Sequence, residues 1–305
     1  MSWQPIVVGV DASPEAAHAA AFAIGVAERA GTTCYIVHAA RDVLASAEVP
    51  ENERYRDALV EQARGEIGAG LADAVPATVR ETLSVRIGAA PVVLKGTVAA
   101  LGAELIVLGG KHHSALGRWF GGSTSLDVAR TTDVPMLVTA GPTAIRRILA
   151  AVDLSGAARP TLAAAERYAA LFHADLRALS VLEPLPIIPE VTPPSETADY
   201  YTLSEELLQR DVWPLIRTPH VEKVVRHGAA VETMLREVAD WGADLLVVGS
   251  HGKGWAERLL LGSVTERLLN HAPTSLLVVP APAAVVAGVD APRETGEVQP
   301  TLAIA

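Results

Sequence analysis

Aromatic side chains make up only 4% of the 305 residues, and there is a single cysteine, Cys34. One cysteine closes no internal disulfide, which fits a reducing compartment. Cys34 stands in an apolar stretch, where a thiol serves as a small buried hydrophobe. No run of 18 or more apolar residues occurs, and the opening MSWQPIVVGVDAS has neither a basic n-region nor an apolar h-region. These lacks point away from a membrane span and a secretory leader, and toward a cytoplasmic protein. Positive charge is scarce: 25 Lys and Arg against 35 Asp and Glu leave a formal net charge of −10. An acidic surface repels a polyanion, so nucleic acid is not an expected partner. A small anion is still acceptable, because backbone dipoles bind phosphate locally.

Familiar catalytic signatures are missing as well. There is no Gly-x-x-x-x-Gly-Lys-Ser/Thr loop, no Gly-x-Gly-x-x-Gly after the first strand and no Gly-x-Ser-x-Gly elbow. His112 and His113 are adjacent, but neighbouring histidines rarely face one ion and no third ligand accompanies them. No metal ligand and no catalytic residue is assigned.

What is present is a duplication. PIVVGVDAS (5–13) matches RILAAVDLS (147–155), with Asp11 and Asp153 standing 142 positions apart. VRIGAA (85–90) matches VRHGAA (225–230), and AELIVLGG (103–110) matches ADLLVVGS (243–250), both at an offset of 140. The chain is long enough for two domains of about 140 residues each. The expected limits are 1–142 and 143–281, with 282–305 as a flexible tail rich in Ala, Val and Pro.

Each copy alternates strand and helix patterns. In the first, strands are expected at 6–10, 33–39, 82–87, 105–108 and 136–139, and helices at 15–30, 52–72, 91–101 and 123–130. Ser13-Pro14 opens the first helix as N-cap and first-turn proline, and Gly31 closes it. Five strands with crossover helices describe an open parallel sheet covered on both faces, the α/β class. The second copy repeats the order from 148 to 279. Its second crossover is different: EPLPIIPEVTPPSETADYY (183–201) holds five prolines and reads as an irregular loop.

In open parallel sheets, ligands bind beyond the carboxyl ends of the strands. There the second copy has GSHGKGWAERLLLGS: Gly249, two residues, Gly252, nine residues, then Gly262-Ser263. Glycines let a ligand approach the backbone, and the helix that begins at Ser263 offers unpaired amides to a phosphate. Ser263-Val264-Thr265-Glu266 also reads as a capping box, which needs no ligand. His251, Lys253, Glu257 and Arg258 are ordinary residues for a solvated loop. Asp153 ends its strand at the same edge, where it can accept from a ligand hydroxyl or make an Asx turn. In the first copy, GGKHHSALGRWFGGS, His112 replaces the middle glycine and would crowd a phosphate.

These motifs resemble the universal stress protein family in its tandem two-domain form. The likeness rests on VGVDAS and AAVDLS, VRIGAA and VRHGAA, and ADLLVVGSHGKG…LLLGSVTERLL…SLLVVP, and it covers 3–280. It implies two Rossmann-like domains of the adenine nucleotide alpha hydrolase type, related by a pseudo-two-fold, with the fifth strands (136–139 and 276–279) paired internally. Further homodimerisation would need its own surface. The resemblance also implies ATP, with or without Mg, bound by Asp153, the backbone near Val181, Gly249, Gly252, Gly262, Ser263 and the Val264 amide. The weaker set in the first copy is Asp11, Ala39, Gly109, Gly122, Ser123 and Thr124. The expected output is a nucleotide-responsive stress regulator acting on a protein partner. A slow ATPase or nucleotide-transferring enzyme and a nucleotide-free scaffold are the alternatives.

Overall fold

A computed structural model describes residues 2–41, 53–110, 123–141, 144–184, 194–251 and 261–281. The expected flexible tail, 282–305, lies outside them.

The first half runs β1 (Ile6–Gly9), α1 (Pro14–Ala30), β2 (Cys34–Ala40), α2 (Glu53–Gly70), α3 (Ala77–Arg80), β3 (Ser84–Ile87), α4 (Ala90–Leu101), β4 (Leu105–Gly109), α5 (Ser123–Thr131) and β5 (Met136–Thr139). The second runs β6 (Arg147–Ala151), α6 (Ala158–Phe172), β7 (Asp175–Leu182), α7 (Pro194–Leu207), β8 (Glu222–His227), α8 (Ala230–Trp241), β9 (Leu245–Gly249), α9 (Ser263–His271) and β10 (Ser275–Val279). A π turn and a 3-10 turn, spanning Leu208–Leu215, follow α7.

Local chemistry explains the boundaries. The Ser13 hydroxyl accepts the Ala16 amide at 3.2 Å, and Pro14 occupies the first turn of α1, where its missing N–H is harmless. Gly31 ends that helix at φ 64, returning its amide to Ala27 and Glu28 carbonyls. The central strands β4 and β9 are apolar, since helices cover both faces: Leu105, Ile106 and Val107 are fully buried, as are Leu245, Leu246 and Val247.

All ten strands form one sheet, in the order β3-β2-β1-β4-β5-β10-β9-β6-β7-β8. Within each half the strands are parallel. At the seam β5 and β10 are antiparallel, with Met136 opposite Val278, Leu137 opposite Leu277 and Val138 opposite Leu276. This is the internal pairing of fifth strands that the family resemblance implies. It turns two potential sheet edges into buried strands. Ser275 fastens the seam: its hydroxyl accepts the Ala140 amide at 3.0 Å and donates to the Ala140 carbonyl at 2.9 Å. Beside it, Arg167 of α6 grips Glu104 of the first half with two bonds of 2.9 and 2.7 Å, its guanidinium 3.6 Å above the Trp3 ring.

Two expectations change in detail. The proline-rich crossover is not irregular to its end, because α7 begins at Pro194, where proline is at home in a first helical turn. The strand expected at 82–87 starts later, at Ser84, after the single turn of α3 and a bend.

Cys34 is largely buried beside the core, and burial pushes its thiol up to about 12. Since only the thiolate attacks an alkylating reagent, the reactive fraction at pH 8 falls to about one in ten thousand. Native protein should therefore resist iodoacetamide at pH 8 and be labelled once denatured. Rapid native labelling, read by intact mass, would contradict this burial.

Candidate functional site

β6 lies between β7 and β9, so successive connections leave it in opposite directions, and a crevice opens beyond its carboxyl end. The described residues enclose there a cleft of about 290 Å³. Six of the seven second-half residues expected at a site line it: Asp153, Val181, Gly249, Gly262, Ser263 and Val264. The seventh, Gly252, lies outside the described residues.

The cleft has two chemically distinct ends. Strand order separates β7 from β9 by two strand spacings, about 10 Å. At the β9 end stands the start of α9. Its N-cap is Gly262, in extended conformation (φ −62, ψ 141), and no side chain caps the first turn. The capping box that Ser263 and Glu266 could have formed is therefore not made. Ser263 is already the first helical residue, and Glu266 instead meets Arg130 of α5 at 3.3 Å. Among the described residues no side chain takes up the first amides of α9, at the positive end of the helix dipole. Their position is set by two bonds to the strand edge: the Thr265 hydroxyl donates to the Gly249 carbonyl at 2.8 Å, and the Gly262 amide donates to the Ser250 carbonyl at 2.9 Å.

Three side chains that the linear pattern did not single out as ligand contacts face the same cleft. Thr161 Oγ1, Ser180 Oγ and His251 Nε2 are buried atoms without a hydrogen-bond partner among the described residues. Thr161 and Ser180 are each only 1% exposed. Buried polar groups are normally paired, so three orphans around one cleft call for a polar occupant, either solvent or ligand. His251 is not the solvated loop residue that its neighbours suggested. Its Nδ1 lies 2.8 Å from the Ser250 hydroxyl, which accepts the Ala281 amide at 3.2 Å. In the tautomer where Nδ1 accepts the Ser250 proton, the ring hydrogen sits on Nε2.

Asp153 makes the Asx turn: Oδ1 accepts the Ser155 amide at 3.0 Å. Gly249, which lines the cleft, also has a packing reason to be glycine. A Cβ on it would stand 2.9 Å from Ala157 Cβ of the α6 start and 3.3 Å from Thr161 Oγ1, so its bare Cα lets α6 sit on β9. At the β7 end, beside Ser180 and Glu183, the lining includes Leu154, Val181, Met234 and Tyr200.

A family model described as the universal stress protein family matches residues 2–140 and, a second time, 144–280. The chain belongs to the universal stress protein family. A universal stress protein of Mycolicibacterium smegmatis is 30% identical over 190 residues, which cover 59% of this chain and 63% of that relative. A putative universal stress protein of Staphylococcus epidermidis is 35% identical over 79 residues, 25% of this chain and 48% of the relative. The matches thus span less than two thirds of the length of either relative. Among solved structures, a universal stress protein from Archaeoglobus fulgidus superposes with a TM-score of 0.62 at 17% identity, covering 91% of this chain and 98% of that one. A putative universal stress protein from Pseudomonas aeruginosa gives 0.58 at 18%, covering 94% and 96%. At such identities the likeness is one of fold.

Within this universal stress protein the two halves have diverged at the cleft. Asp11, Ala39 and Gly109 stand at the carboxyl ends of β1, β2 and β4, and Ser123 and Thr124 open α5. Gly122, His112 and His113 lie outside the described residues. Asp11 repeats the Asx turn, accepting the Ser13 amide at 3.0 Å. The Val10 amide bonds the Val37 carbonyl just as Val152 bonds Leu179, which sets His38 opposite Ser180 in the comparison of halves. His38 Nδ1 lies 2.7 Å from the Val10 carbonyl oxygen, so an imidazole spans the ends of β1 and β2 where the second half has a small unpaired hydroxyl. By the 142-residue offset Thr161 corresponds to Ala19, which carries no polar group. The polar floor is thus a property of the second half.

Proposed function

We propose that the second half binds an adenine nucleotide, ATP, in the cleft between β9 and β7, and that occupancy regulates the protein's choice of partner in the cytoplasm during stress. One observation carries the reading: the start of α9, which no described side chain caps, and three residues whose buried polar atoms have no partner among the described residues all line one cleft. Open helix amides suit a phosphate, and they do so despite the net negative charge. The Val264 amide, the Ser263 hydroxyl and His251 Nε2–H supply donors at that end, with Gly262 presenting the helix start. Asp153, between the two ends, suits a ribose hydroxyl, and the apolar end beside Val181 suits the base. Gly252 belongs to the same reading. Magnesium would enter on the nucleotide's phosphates, where that ion prefers oxygen ligands. Binding rather than turnover is proposed: the groups lining the cleft suit holding an anion, and the hydroxyl paired with His251, that of Ser250, is buried, accepts the Ala281 amide and is not among the lining residues.

Titration calorimetry with ATP tests the reading, with Ser263→Asp as the decisive variant. Ser263 is exposed, so the substitution meets no packing barrier, and an acid in the first turn complements the helix dipole. The variant should fold at least as stably as the parent yet bind ATP at least about tenfold more weakly, because its carboxylate occupies the phosphate's place. Undiminished ATP affinity in Ser263→Asp, or no ATP affinity in the parent, would end the proposal.

A further inference from the structure

We infer that Tyr200 is a ring-recognition residue, closing the apolar end of the second-half cleft over the flat heteroaromatic base of the ligand. The inference rests on the nucleotide reading above and adds to it a residue from outside the glycine pattern. Tyr200 comes from α7, within the crossover in which the two halves differ most, and it lines the cleft with Leu154, Val181 and Met234. The nearby carboxylate, Glu183, is already engaged, since its Oε1 accepts the Ala230 amide at 2.9 Å. Apart from the Ser180 hydroxyl, which can meet a ring's polar edge, this end presents apolar and aromatic surface, which suits the face of a ring better than a phosphate.

A ring-recognition residue must be held in place, and Tyr200 is. Its ring centroid lies 5.4 Å from that of Tyr201, which in turn stacks on His227 at 4.2 Å with an interplanar angle of 8°. His227 Nε2 is 3.2 Å from Glu205 Oε1, one turn further along α7. The helix is anchored below by Ser204 and Leu208, both buried. The Tyr201–His227–Glu205 chain thus clamps α7 to the end of β8 and leaves the Tyr200 ring facing the cleft. Tyr201, His227 and Glu205 are positioning residues in this scheme, and Tyr200 alone touches the ligand.

The test compares two probes, ATP and inorganic tripolyphosphate, on the full chain. Base–aromatic stacking of ordinary strength predicts that Tyr200→Ala loses about tenfold in ATP affinity. Tripolyphosphate, which lacks a ring, should bind Tyr200→Ala as it binds the parent. Tyr200→Phe, which keeps the ring, should retain ATP affinity. His227→Ala should lose ATP affinity in the same ring-selective way, with His227→Phe restoring it by restoring the stack. Parent-like ATP binding by Tyr200→Ala would overturn the inference and leave the nucleotide reading standing. Equal losses for both probes would also overturn it, by showing a general disturbance of the cleft. A parent protein that binds no ATP would overturn both.

Discussion

Gly109→Ala is expected to destabilise the protein by about 3 kcal/mol, at the upper end of what overpacking usually costs. A Cβ at Gly109 would stand 2.7 Å from both the carbonyl carbon and oxygen of Glu15, and 2.9 Å from the Ala16 nitrogen. Those are backbone atoms in the first turn of α1, so no side chain can swing aside and the helix itself has to move off β4. The φ of Gly109 is not positive, so the effect comes from space and not from backbone strain. Gly25 supplies the control. It lies within α1 with nothing inside 4 Å of a Cβ built there, and Gly25→Ala should stabilise the protein by about 0.5–1 kcal/mol. Urea unfolding of the two variants decides the matter. A Gly109→Ala midpoint within the error of the parent would show that α1 is not seated on β4 as described.

Removing Arg177 should cost about as much, roughly 3 kcal/mol, the low end for breaking a buried ion pair from one side. Glu237 of α8 is 5% exposed, and its carboxylate is held by Arg177 Nη1 at 2.6 Å and Arg226 Nε at 3.0 Å. Arg177 also binds Glu222 and lays its guanidinium 4.4 Å from the centre of the Trp241 ring. Arg177→Ala leaves Glu237 buried with only the half-exposed Arg226, and it strips the cover from Trp241. The energy lies in the stranded carboxylate more than in the lost attraction. Arg177→Met combined with Glu237→Leu should therefore regain most of the stability, since apolar residues often replace a buried pair at little cost. Thermal unfolding of the single and double variants separates these terms. A double variant no better than Arg177→Ala would mean that the pair itself is worth its full measured loss.

Much of this architecture could be read from the repeat. Matching strand ends at offsets of 142 and 140 placed Asp153 and Gly249 at one sheet edge, because strand ends in a parallel sheet share an edge; the glycine pattern added Gly262 and Ser263, and the family resemblance added Val181. The apolar fifth strands foretold the β5–β10 seam for a similar reason, as such edges seldom stay bare. The chemistry at individual positions was harder to read. Gly249 and Gly109 looked like aids to ligand approach, yet each admits a helix, a contact made by residues nearly a hundred positions away. Ser263 looked like an N-cap, but the chain enters α9 one residue earlier and leaves that turn uncapped. Thr161, Ser180 and Tyr200 belong to no local pattern. The stacking of α6 and α7 against the sheet brings Thr161 and Tyr200 to the cleft, Ser180 reaches it from within β7, and a hydroxyl's lack of a partner has no signature in a sequence.

The antiparallel seam has a geometric consequence for traffic around the molecule. Strands of the two halves point in opposite directions, so the carboxyl edge of one half is level with the amino edge of the other. The second-half cleft and the first-half carboxyl edge, with Asp11 and Gly109, therefore lie on opposite rims of the shared ten-strand sheet. A partner large enough to cover the mouth beside Tyr200 leaves the far rim untouched, and a molecule docked at the first-half rim cannot block entry to the second. The chain has, in effect, a front door and a back door, and each can be bolted without obstructing the other.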